Sequence, residues 1–185
     1  MRLGSGLSDG VKLGFDTGFD SGSTLDYVYR NQPSGKGALG RLIDRNYLDS
    51  IGWRGIRQRK LHAEELLRLA MLRLREAGKA VRIVDIAAGH GRYILESLEG
   101  QEQRPDSILL RDYSDINVRD GNALIQQKDL GDIARFVKGD AFDRVFGVIR
   151  DDGVKQGPQS GVHDARPGAR RFQPAFSAVQ ARIGQ

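Results

Sequence analysis

The stretch "VRIVDIAAGHGRY" (Val81–Tyr93) decides the fold. A β-branched apolar run ends on Asp85, passes through Ala87, Ala88, Gly89 and Gly91, and resumes with Arg92, Tyr93 and Ile94. A short apolar run bounded by turn residues reads as a buried strand, and "GRYILESLEG" reads as the helix into which it turns. The pattern repeats downstream: "DSILLRDYS" is a strand, "NVRDGNALIQQKDLG" a helix, and "IARFVKGDAF" a third strand. Strands alternating with helices in this way are parallel and joined by crossovers. The expected fold class is α/β, a partial doubly wound (Rossmann-like) parallel sheet with an N-terminal helical segment and a largely irregular C-terminal tail.

Upstream, residues 1–22 are rich in glycine and aspartate, with a near-repeat "GFDTGFDSG" too short for any repeat array, and read as a flexible leading segment. Residues 23–79 form the helical segment. Ser23 or Thr24 caps a short helix carrying Leu25, Val28 and Tyr29. "ALGRLIDRNYLDSIGW" makes a second amphipathic helix, and a third runs from Ile56 to about Ala77 and is capped by Gly78. Its leucines, from Leu61 through Leu66, Leu69 and Leu72 to Leu74, read as core packing. Residues 80–144 hold the strand–helix repeats. In 145–185, "VFGVIR" allows one further short strand and "AFSAVQARI" a terminal helical turn or two. The remainder is Gly, Gln, Arg and Pro with too few large apolar residues to offset its ordering entropy.

Composition narrows the chemistry. With no cysteine and three scattered histidines, a metal centre is not expected. No apolar window is long enough for a membrane helix and the N-terminus lacks a signal-peptide core, so the expected location is the cytoplasm, without a membrane partner. The net charge of +5 permits a nucleic-acid partner without arguing for one, because most bases alternate with acids on helical faces.

Ligands of such sheets bind beyond the carboxyl ends of the strands. Asp85, Ala87, Gly89 and Gly91 have the spacing acid-x-small-x-Gly-x-Gly at the first of these ends, which leaves room for backbone to approach a ligand. Asp112, followed by Tyr113, closes the second strand, where an acid typically takes ribose hydroxyls. Asp140 and Ala141 close the third, placed to face an adenine. A dinucleotide site wants G-x-G-x-x-G, but the third position here is Ile94, and Asp85 would repel a pyrophosphate. An acid suits a ligand with an ammonium group, and S-adenosylmethionine has one.

The motifs "DIAAGHGRY", "LLRDYSDINV" and "FVKGDAFD" resemble those of the class I S-adenosylmethionine-dependent methyltransferases. The block "FDSGSTLDYVYRNQPSGKGALGRLIDRNYLDSIGWRGIRQRK" narrows the resemblance to a bacterial methyltransferase family whose members often follow an α/β-hydrolase domain in one longer chain. The likeness covers Gly18 to Arg144. It implies S-adenosylmethionine as cofactor and methyl transfer to an unknown acceptor. It also implies that Asp85, Ala87, Gly89 and Gly91 form the donor loop, Asp112 the ribose contact, and Asp140 with Ala141 the adenine wall. Ala87 stands where the family's first glycine is usual.

Other residues carry lesser expectations. Tyr93 packs beneath the loop, His90 is exposed on it, Lys138 pairs with Asp140, and Arg57 and Tyr29 are candidates for the donor carboxylate. No residue qualifies as catalytic. After Arg144 the composition shifts as a truncated gene or a change of reading frame would shift it. A bare edge on the first strand would then favour self-association. A donor-binding remnant or interaction domain without catalysis, and an NAD-dependent oxidoreductase, stand as alternatives.

Overall fold

The sheet forms where the apolar runs place it. The computed structural model of the chain describes residues 6–141 and the backbone of a short strand at 178–180. The order is α1 (Asp9–Thr17), α2 (Gly22–Arg30), α3 (Gly37–Leu48), α4 (Ile51–Glu76), β1 (Arg82–Ile86), α5 (Arg92–Glu96), β2 (Ser107–Asp112), α6 (Asp115–Gln127), β3 (Ala134–Lys138) and β4 (Ala178–Gln180). The sheet order is β3-β2-β1-β4. β1 and β2 pair in parallel with Asp85 opposite Leu110, and β2 and β3 pair in parallel with Leu110 opposite Phe136. An α/β architecture with an open parallel sheet is therefore present.

Alternation along the strands decides which face is covered. Ile83, Ile108, Leu110, Ala134 and Phe136 point to the helical side and share one core with Leu67, Met71, Ile94, Leu95, Leu124 and Ile125. α5 is short; it gives way to turns by Gly100. α4 ends as Gly78 implies. The Lys79 N–H reaches the Leu74 carbonyl at 2.8 Å and the Gly78 N–H the Arg75 carbonyl at 2.9 Å, the paired bonds of a Schellman motif.

Four expectations need correction. First, the leading segment is not a loop. Ser8 caps α1 by accepting from the Val11 N–H at 3.1 Å, and Gly10 and Gly14 leave room where the rings of Tyr27, Tyr47 and Phe19 pack. Tertiary packing here overrides the low helix propensity of glycine. Second, α2 begins earlier than expected, with Ser21 as its cap, and α4 begins at Ile51. Third, the leucines of α4 do not share one face. At 100° per residue, Leu67, Met71 and Leu74 face the core, while Leu61, Leu66, Leu69 and Leu72 turn away and are 40–65% exposed. Fourth, Ala178–Gln180 is not helical. It pairs antiparallel with β1, Val179 opposite Asp85, because an open strand edge offers unpaired N–H and C=O groups that a short helix cannot use. That pairing occupies Val84–Ile86, part of the edge on which self-association was expected. The segment "VFGVIR" lies outside the described residues.

One carboxylate ties the N-terminal helices together. Asp44 of α3 is fully buried and accepts from the Ser8 hydroxyl, the Gly10 N–H at 3.0 Å, the Tyr27 hydroxyl and the Ser34 N–H at 3.0 Å. Burial alone would push its pKa up, but the four donors together hold it below the ordinary value. Asp44→Ala strands those donors and is expected to destabilise the protein by about 3 kcal/mol or more in urea unfolding. Asp16→Ala, at an exposed pair with Lys12, leaves the midpoint unchanged.

Candidate functional site

The chain leaves β1 and enters α5 within five residues, a reversal that L-residues resist. Ala87, Gly89 and Gly91 take φ values of 61°, 59° and 71°, all left-handed. For Ala87 that conformation costs about 1 kcal/mol, which explains why glycine is usual at this position. The two glycines also answer to packing. A side chain on Gly91 would strike Leu110 at 2.4 Å, and one on Gly89 would press on the Gly22 backbone at 3.2 Å. Gly89 therefore has a second reason to be glycine, the approach of α2, which the spacing of the motif alone does not reveal.

Asp112 holds this loop in place. It is buried at the end of β2, where its Oδ2 accepts from the Gly89 N–H at 3.0 Å and its Oδ1 from the Ser114 N–H at 2.9 Å. One carboxylate thus joins the turn after β1 to the turn after β2. The Gly139 N–H donates to the Asp112 carbonyl at 2.9 Å, which brings the turn after β3 alongside. Tyr113 is exposed beside Asp112, Asp140 is half-buried, and Ala141 is exposed at the carboxyl end of β3. All eight predicted positions lie at the carboxyl ends of three adjacent strands, Asp85 and Asp112 within the strands and the other six in the turns that follow.

Asp85 is the unusual member. It is fully buried, its Oδ2 accepts from the Tyr93 hydroxyl at 2.8 Å, and its Oδ1 has no hydrogen-bond partner. Burial chiefly, with the charge of Asp112 added, pushes it up to about 7 against the hydrogen bond from Tyr93. Tyr93 is buried in the core, with its hydroxyl on Asp85.

A second layer was invisible in the motif. Asp26 of α2 is buried. It takes Arg92 Nε at 2.6 Å and Arg30 Nε at 3.0 Å, and its Oδ2 lies 3.4 Å from His90 Nδ1. Burial would raise Asp26, but His90 and Arg92 bring it down to about 2. His90 is therefore not an exposed loop residue. Its ring lies between Asp26, the Ser23 hydroxyl at 3.3 Å and Asp120 at 3.8 Å. Arg92 also pairs with Glu96 at 2.8 Å, and Glu96 with Lys60 of α4 at 2.6 Å. The only sequence hint of this clamp was Asp26 four residues before Arg30, which reads as a local helical pair.

The lesser candidates fall elsewhere. Arg57 donates to the Leu48 carbonyl at 2.7 Å and so caps α3, and Tyr29 lies beneath the Lys60 ammonium. Lys138 pairs with Asp115 at 2.7 Å. Among the described residues no group of three His, Asp or Glu could hold a metal, and no helix is long and apolar enough to cross a membrane.

Two substitutions test this geometry. Ala87→Gly relieves the left-handed strain and is expected to stabilise the protein by about 1 kcal/mol in urea unfolding. Asp85 tests the buried charge. Its folded value of about 7 exceeds the ordinary 3.8, so between these limits the folded protein keeps a proton that the unfolded chain has lost. Its contribution to stability therefore falls as pH rises through that window, by up to about 1.4 kcal/mol per pH unit, and levels off above it. Asp85→Asn is expected to raise the melting temperature over wild type at pH 8 and much less at pH 5.

Comparison with known proteins agrees with the motif. A family model described as "Putative methyltransferase" matches residues 1–150, so the likeness also takes in α1. A protein of Escherichia coli (strain K12), "Uncharacterized protein YnbC", is 54% identical over 143 residues, which is 77% of this chain and 24% of that protein. The chain thus spans about a quarter of that relative's length. No solved structure gives a significant match. With most of the chain inside the family match and the glycine turn and strand-end acids all in place, the chain belongs to this methyltransferase family.

Proposed function

We propose that this chain binds S-adenosylmethionine across the carboxyl ends of β1, β2 and β3 and serves the transfer of its methyl group to an acceptor. The observation that carries this reading is Asp85. A fully buried carboxylate with one unpartnered oxygen, at the mouth of a glycine turn, calls for a cationic or hydrogen-bonding ligand group. The α-ammonium of the donor is such a group, and a pyrophosphate is not.

The neighbouring residues fit the remainder of the donor. Each oxygen of Asp112 accepts one backbone N–H, and a carboxylate oxygen has two lone pairs, so both remain able to accept a ribose hydroxyl. Asp140 and Ala141 stand at the next strand end, one acceptor and one small apolar side chain, suited to the amino group and face of an adenine. Ala87, Gly89 and Gly91 supply backbone where side chains would intrude. The bound donor supplies an electrophilic methyl on a sulfonium with a neutral thioether to leave. The protein's residues hold that end still, and fixed proximity and orientation account for much of the rate.

Titration calorimetry of the chain with S-adenosylhomocysteine tests the reading. Saturable one-to-one binding is expected, weakened roughly 10- to 100-fold by Asp112→Ala, the loss of a charged hydrogen-bonding pair. NAD should give no heat. Binding of NAD without binding of S-adenosylhomocysteine would overturn the assignment in favour of a dinucleotide.

A further inference from the structure

We propose that Asp85 carries a proton in the free protein and gives it up when the ammonium end of the donor arrives, so that donor binding and proton release are one event. The proposal rests on the donor reading above and goes beyond it to the protonation state of the site.

The geometry leaves Asp85 little alternative. It lies on the helical face of β1, closed to solvent, and its Oδ2 already accepts from Tyr93. The groups that bear on it are the Tyr93 hydroxyl from α5, the Ile86 N–H on its own strand, and the Asp112 carboxylate from β2. The first two favour its charge, the third opposes it, and none is a cation. The guanidinium of Arg92 on α5 is engaged elsewhere, since it turns to Asp26, as does the His90 ring of the loop. An unpaired carboxylate in such a place is costly, and protonation removes the cost. Tyr93 occupies Oδ2, so the proton belongs on Oδ1, the oxygen without a partner.

An incoming ammonium removes the same cost differently. The O–H bond of the Asp85 carboxyl breaks, its proton passes to solvent, and the carboxylate left behind pairs with the ammonium directly or through one water. No covalent bond to the ligand forms, and Tyr93 keeps its hydrogen bond throughout. The buried pair is neutral both before and after. Asp26 differs: it is also buried but pairs with two guanidinium groups, Arg30 and Arg92, and stays ionised.

The test is calorimetry of the whole chain at about pH 6.5 in two buffers of different ionisation enthalpy, which counts protons exchanged on binding. S-adenosylhomocysteine is expected to release about 0.5 to 1 proton. 5′-Methylthioadenosine, which lacks the amino-acid end, should release none. The affinity for S-adenosylhomocysteine should weaken up to about tenfold per pH unit below 7 and be flat above it. Asp85→Asn should abolish the proton release, and Tyr93→Phe should move the break to higher pH by removing a donor to the carboxylate. Binding of S-adenosylhomocysteine without proton release, or equal release by Asp85→Asn, overturns the proposal and leaves the donor reading standing. Failure of both ligands to bind refutes the donor reading and this proposal together.

Discussion

Everything in this fold leads to one constraint, the five-residue reversal between β1 and α5. Three left-handed residues are needed to make it, and such a turn holds only if its surroundings fix it. Asp112 fixes it from the sheet side by binding the Gly89 N–H. α2 fixes it from the outside, with the Gly22 backbone against Gly89 and Asp26 against Arg92 and His90. The N-terminal helices are therefore not an appendage. They are the outer wall of the loop, and Asp44 binds them to one another.

Of the four aspartates buried among the described residues, Asp112 ties the turns together and the other three divide the labour. Asp44 is satisfied by four hydrogen-bond donors and Asp26 by two guanidinium groups and the His90 ring, and both are held below the ordinary carboxylate range. Asp85 has a single side-chain donor and another acid nearby, and is raised. Among the described residues, the buried acid with an unpartnered oxygen lies next to the glycine turn. On the proposed donor reading, the structural acids are resolved within the protein and Asp85 is the one whose partner would be a ligand.

Much of this was legible in the sequence, for reasons that differ by element. The strands were visible because β-branched runs between turn residues have no competing reading, and the strand-end acids because they fall where each run stops. α1 was missed because Gly10 and Gly14 lower helix propensity and the rings that repay them, Tyr27 and Tyr47 at Gly10 and Phe19 at Gly14, are brought there only by the fold. Leucine richness in α4 suggests a single apolar face, whereas angular position sends Leu61, Leu66, Leu69 and Leu72 outward. The clamp on His90 was missed because its partner, Asp26, is 64 positions away and no local spacing records such a pair. The role of Gly89 was half seen: room for a ligand was expected, and room for α2 was found.

Donor binding as proposed requires the carboxyl-end turns to act together as one ligand site. Amide hydrogen exchange of the chain, with and without S-adenosylhomocysteine, tests that claim most directly. Slowed exchange is predicted at 87–91, 112–114 and 139–141 together, with 99–106 at the opposite end of the strands unchanged. Protection confined to 99–106, or none at any turn under saturating ligand, would contradict it.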